Sequence, residues 1–271
     1  AYEISACLVG SEMCIRDSSC RTCSPHFSTS WVLDDRKLRN KIFRQTINDG
    51  FQFPGNSEEQ LYDEMIPHLQ NMQEIYFAGG EPMMQKQHYD TLKKLIELDN
   101  TNCRIRYSTN FSRLHLGEDD VFDYWKHFKS IQLIVSIDGS YEKAEYWRNG
   151  TVWSEIVDNR IRLLKEIPRI KFVISYTLSW VNAQNLVDLH KEWLNLNYIL
   201  LDNINIIPLT GPLYYSLRNI PNWKKEQIEN IFKEHMDWLR EKYHIGISHK
   251  IINKYEESIN FMWQESDIDL H

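Results

Sequence analysis

The chain has 271 residues, 42% hydrophobic and 25% charged, the balance of an ordinary folded protein rather than a disordered or fibrous one. No run of about 18 apolar residues occurs, which excludes a membrane-spanning helix. Thirty-one Lys and Arg against 38 Asp and Glu leave a net charge of −7, so neither nucleic acid nor anionic lipid is expected as a bulk electrostatic partner.

Four of the five cysteines, Cys7, Cys14, Cys20 and Cys23, fall in the first 23 residues. An odd count crowded at one end does not suit a secreted disulfide framework. It suits a metal or cluster site in a reducing compartment, so a cytoplasmic location is expected. The tract CLVGSEMCIRDS, residues 7–18, has no helical or strand period. It resembles the translation of a transposon-end sequencing adapter, in which ATGTGTATAAGAGACAG reads Met-Cys-Ile-Arg-Asp. Residues 1–18 are therefore expected to be foreign to the natural gene. Residues 19–245 are expected to be the core domain, and 246–271 the truncated start of a further region.

Residues 28–74 read as a helical excursion with a helix start at Asn56-Ser57-Glu58-Glu59. From Glu74 onward, β-rich apolar runs alternate with helical periods. Glu74–Ala78 is a predicted strand ending in Gly79-Gly80, followed by a helix over 88–98. Arg104–Ser108 is a strand leading to Asn110, and an amphipathic helix is expected over 119–128. Ile131–Ile137 is a buried strand closed by Asp138-Gly139, with a helix over 152–166 stopped by Pro168. A strand over 170–178, a helix over 185–196, a strand over 203–207 and a long helix over 223–243 complete the series. Helices of this length between strands imply βαβ units and a parallel sheet. Five such strands, with one more implied before them, are too few for a closed eight-stranded barrel. The expected fold class is α/β, a partial (β/α)6 TIM-like barrel with outer helices. Ligands of such sheets sit at the carboxyl ends of the strands.

Four motifs fall there or in the loop before them. Cys20-Arg21-Thr22-Cys23 reads as half a zinc site, a redox pair, two ligands of an iron–sulfur cluster, or two free thiols. Gly79-Gly80-Glu81-Pro82 lets backbone approach a ligand, with a carboxylate for a cationic amine; it also fits a plain turn. Ser136 and Asp138 share a face by the two-residue period and could meet ribose hydroxyls, or simply end the strand. Arg148 could hold a carboxylate in two-pronged fashion or lie on the surface.

Together these motifs resemble the radical S-adenosylmethionine (radical SAM) superfamily over residues 19–245. Within it, CRTCSPHFSTSW, FAGGEPMM and SIDGSYEKAEYWRNG resemble the branch that carries a C-terminal twitch or SPASM domain. The resemblance implies a [4Fe–4S] cluster and S-adenosylmethionine as cofactors. It also implies reductive cleavage to a 5′-deoxyadenosyl radical that takes hydrogen from a peptide or small-molecule substrate. An electron donor such as flavodoxin or ferredoxin would be the protein partner. On this resemblance Cys20 and Cys23 are metal ligands, and Gly79, Gly80, Glu81, Asn110, Ser136, Asp138 and Arg148 bind the cofactor. The family's first cluster cysteine falls at position 16, where this chain has Arg16, which leaves two of three ligands and implies an inactive chain as written. Two other readings use the same residues: a non-catalytic barrel-like module holding zinc or another ligand, and a conventional barrel lyase with Glu81 as general base.

Overall fold

A computed structural model describes residues 5–9, 19–20, 58–78, 81–243 and 245–266. In chain order its principal elements are β1 (Ser5–Val9), α1 (Glu58–Met65), β2 (Glu74–Ala78), α2 (Lys86–Glu97), β3 (Arg104–Thr109), α3 (Val121–Trp125) and β4 (Ile131–Ser136). There follow α4 (Tyr141–Trp147), α5 (Trp153–Glu166), β5 (Lys171–Leu178), α6 (Ala183–Asn195), β6 (Ile204–Pro208), α7 (Asn222–Lys242) and α8 (Ile245–Met262). The chain is α/β, as expected, and each of these strands runs parallel to a neighbour. It divides into two compact units, Ala1–Val135 with Arg148–Lys171, and Ser136–Trp147 with Phe172–His271.

In the first unit the strand order is β1-β2-β3-β4. Register is set by apolar partners, with Ile75 opposite Ile105 and Ile105 opposite Ile131. Alternation puts Ile75 and Phe77, Ile105 and Tyr107, and Leu133 and Val135 in the core. Helix α2 covers this face with Tyr89, Leu92 and Leu95. Helix α3 is shorter than its sequence period suggests, because Asp120 caps it by accepting the Phe122 N–H at 2.9 Å. Its other end is closed by the Arg169 guanidinium, which donates to the carbonyls of Trp125, Lys126 and Phe128. The strand expected before Glu74 is β1, within a tract whose sequence shows no strand period. Ala6-Cys7-Leu8-Val9 is a short continuous apolar run without alternation, and its backbone pairs in parallel with β2.

In the second unit β5 and β6 pair in parallel, with Ile174 opposite Ile204. Helices α6, α7 and α8 meet at a buried polar contact. His190 Nδ1 lies 2.9 Å from His235 Nε2 and 3.1 Å from the Tyr255 hydroxyl, and His190 Nε2 lies 3.2 Å from the Leu201 carbonyl. Helix α8, not anticipated from the sequence, buries Ile251, Tyr255 and Met262 in this unit.

Burial holds His190 and His235 below the ordinary histidine range, and His88 of the first unit, also buried, down to about 3. All three are neutral when folded, whereas the unfolded chain begins to protonate them near pH 6.5. Folding stability should therefore fall as pH drops through 6.5, by up to roughly 1.4 kcal/mol per pH unit for each histidine. Calorimetry at pH 7 and pH 5 measures this, and an unchanged melting temperature would show that these side chains are not held neutral.

Candidate active site

Glu81 follows β2 and starts a tight turn, with Pro82 as the first residue of a 3₁₀ segment over Pro82–Met84. Its side chain is only 4% exposed. Both carboxylate oxygens are engaged from the end of β3, the adjacent strand. The Thr109 hydroxyl donates to Oε1 at 2.5 Å, and the Asn110 backbone N–H donates to Oε2 at 2.8 Å. The Met83 backbone N–H is a third donor to the carboxylate, which leaves about one of its four lone-pair sites for a further donor. Burial drives the Glu81 pKa up to about 7; the bonds from Thr109 and Asn110, and most weakly the Arg148 guanidinium, act in the other direction. A buried acid in this state gains most from a cation beside it.

Asn110 is buried. Its N–H serves Glu81, while its side-chain oxygen accepts from the Ser112 N–H at 3.0 Å and the Ser112 hydroxyl at 2.7 Å. Arg148 is half-buried in a two-residue strand, Arg148–Asn149, paired antiparallel with Ser19–Cys20 so that Cys20 lies opposite Arg148. The first unit thus brings Glu81, Asn110 and Arg148 into one neighbourhood and sets the backbone of Cys20 against Arg148. Cys23, Gly79 and Gly80 lie outside the described residues, as does the Cys20 side chain. Among the described residues no cluster of three His, Cys, Asp or Glu could hold a metal ion. Cys103 is a buried thiol, with its pKa pushed up to about 12 by burial.

In the second unit, Ser136 is half-buried at the end of β4 and Asp138 is buried. The Asp138 carboxylate accepts the Thr177 N–H at 2.7 Å, and its carbonyl accepts the Asn182 side-chain amide at 3.0 Å. Asn185 holds the next residue, accepting the Ser140 N–H at 2.7 Å and donating to the Ser140 hydroxyl at 3.1 Å. Gly139 is required here: a Cβ would come within 2.7 Å of the Asn185 side-chain oxygen and 3.2 Å of the Ala144 nitrogen. Asn182 and Asn185 were missed by sequence reasoning because only the helix period, and not its polar exceptions, was weighed on that face. Thr109 was missed because a threonine ending a strand is unremarkable until its hydroxyl is seen on Glu81.

No protein-family model matches the chain, and no curated protein matches it by sequence. Solved structures do match in fold. A structure of anSMEcpe with bound AdoMet aligns with a TM-score of 0.58 at 16% identity, over 91% of this chain and 62% of that one. The same protein with AdoMet and the Cp18Cys peptide gives a TM-score of 0.55 at 16% identity, over 89% and 61%. SuiB of Streptococcus suis bound to S-adenosylmethionine gives 0.53 at 12% identity, over 89% and 48%. The chain spans about three fifths of anSMEcpe and about half of SuiB. At these identities the likeness shows the fold alone, parallel strands alternating with helices.

Proposed function

We propose that this chain is the core of a radical SAM enzyme, with Glu81 as the seat of the methionyl amine of S-adenosylmethionine. The observation that carries this reading is the Glu81 carboxylate, buried at a strand's carboxyl end, with both oxygens oriented by donors. An ammonium group would find there a desolvated, pre-positioned acceptor. Arg148, in the same neighbourhood, offers a guanidinium for a carboxylate. Cys20 and Cys23 would hold two irons of a [4Fe–4S] cluster. With one electron from an external reductant, such a cluster would cleave bound S-adenosylmethionine into methionine and a carbon-centred radical able to abstract hydrogen. The substrate class we infer is a peptide, supported by the Cp18Cys peptide in the anSMEcpe structure.

The reading has a thermodynamic signature. Near pH 6.5 Glu81 is mostly protonated, given its pKa of about 7. A cation seated against it favours the ionised form, so binding expels a proton. Titration calorimetry of S-adenosylmethionine at pH 6.5 in buffers of different ionisation enthalpy should report release of roughly 0.7 proton per ligand. Binding without release would remove Glu81 from the ligand's contacts.

One observation favours a second reading. A carboxylate raised to about 7 is suited to general-base work in a conventional lyase. The two differ in product: only the radical enzyme forms 5′-deoxyadenosine when reduced with its cluster in place.

A further inference from the structure

Asn159 lies on α5, 48 residues from Phe111 in sequence, and bonds the turn that follows β3. Its side-chain amide donates to the Phe111 carbonyl at 2.9 Å and to the Ser112 carbonyl at 3.1 Å. The residue it holds is unusual. Phe111 has φ +60 with a fully buried ring, a left-handed conformation that a bulky side chain adopts only under constraint. The Phe111 N–H is in turn bonded to the Thr109 hydroxyl oxygen at 2.8 Å, and that hydroxyl carries its own proton to Glu81. The left-handed residue therefore sits between the two groups that hold Glu81 and the two carbonyls held by Asn159.

We propose that Asn159 is a positioning residue for Glu81: by fixing the carbonyls of Phe111 and Ser112 it keeps the chain in the left-handed turn that presents the Asn110 N–H and the Thr109 hydroxyl to the carboxylate. Without that anchor Phe111 can relax toward an unstrained backbone, since a bulky residue is held in this conformation only by its surroundings. Relaxation swings the Asn110 N–H off Oε2. The groups facing Glu81 are Thr109, the Asn110 and Met83 backbone, Arg148 and, more weakly, the neutral Tyr89. Arg148 and the N–H donors favour the ionised form, so losing one donor shifts Glu81 toward its protonated form.

The test is the titration of the Glu81 carboxyl, followed by infrared or carbon NMR on glutamate-labelled full chain, with Glu81→Gln identifying the signal. Asn159→Ala should move the midpoint up by about one pH unit, a tenfold change in the ratio of protonated to ionised acid. Asn159→Gln, which keeps the amide donor, should return it toward the native value. An Asn159→Ala protein that melts as a folded chain and titrates at the native midpoint overturns the inference. If Asn159→Ala does not fold, Asn159→Ser, which keeps one donor, should give a smaller shift in the same direction, and no shift overturns the inference equally. The consequence for ligand rests on the functional reading above: with S-adenosylmethionine as probe, Asn159→Ala should bind roughly fivefold more weakly at pH 7, as the ionised fraction of Glu81 falls from about one half to about one tenth. A shifted midpoint in a chain whose native form binds no S-adenosylmethionine would uphold the positioning role and reject the functional reading. An unshifted midpoint with native binding would do the reverse.

Discussion

Glu81→Gln should make the protein more stable above pH 7 while removing its affinity for S-adenosylmethionine. Glu81 has its folded-state pKa raised by burial from 4.5 to about 7. Between those values the folded chain keeps a proton that the unfolded chain gives up. Stability from this group is thus fully present below about pH 4.5 and is lost as pH rises through about 7. The penalty for ionising it in place is roughly 3 kcal/mol, with the donors' contribution already included. Glutamine avoids that penalty. Its carbonyl can accept the Asn110 N–H and its amide can donate to the Thr109 hydroxyl oxygen, so both bonds survive, the one to Thr109 with its direction reversed. The variant should melt several degrees higher at pH 8 and lose the fall in stability across pH 5 to 7 that is due to Glu81. A neutral amide cannot neutralise a buried ammonium, so affinity should drop by about a hundredfold or more. Thermal melts and titration calorimetry on the same preparation give both numbers. A variant that is less stable at pH 8 and binds as well as the native chain would contradict both halves.

Much of this arrangement is legible in the sequence because strand and helix periods report on burial. The runs at Glu74–Ala78, Arg104–Thr109 and Ile131–Ser136 alternate as their faces do, and their boundaries fall within a residue or two of those read from the pattern. The turn at Gly79-Gly80-Glu81-Pro82 is legible too, although the sequence leaves open whether its acid faces a ligand or simply closes the turn. What holds Glu81 is not legible. Thr109 acts through a single hydroxyl, and Asn159 acts on main-chain carbonyls, neither of which leaves a period. The left-handed Phe111 is the least visible feature, because a residue that disfavours that conformation gives no local signal for it. Helix α4 was missed because Tyr141–Trp147 is short and follows Asp138-Gly139, which reads as a turn. The metal ligands named from the sequence, Cys20 and Cys23, remain proposals, with only the backbone of Cys20 described, opposite Arg148.

Arg16→Cys should convert a chain that loads iron poorly into one that holds about four irons and cleaves S-adenosylmethionine. The resemblance requires three thiolates in a C-x₃-C-x₂-C loop, and this chain supplies Cys20 and Cys23 with Arg16 in the first place. A guanidinium keeps its proton under all ordinary conditions and offers no lone pair to iron. Cluster affinity depends on the number of deprotonated ligands, so two thiolates should assemble iron and sulfide weakly, and a third should strengthen assembly by orders of magnitude. Cys14 gives the looser spacing C-x₅-C-x₂-C and provides the internal control. If it already serves as the third ligand, the native chain loads fully and Cys14→Ser empties it. If it does not, only Arg16→Cys loads, and Arg16→Ser does not. Anaerobic reconstitution with iron and sulfide, followed by metal analysis and chromatography for 5′-deoxyadenosine after reduction, separates these outcomes. Iron contents that stay low in every variant, or zinc taken up in place of iron, would reject the cluster and leave Glu81 as the residue on which any other chemistry must be built.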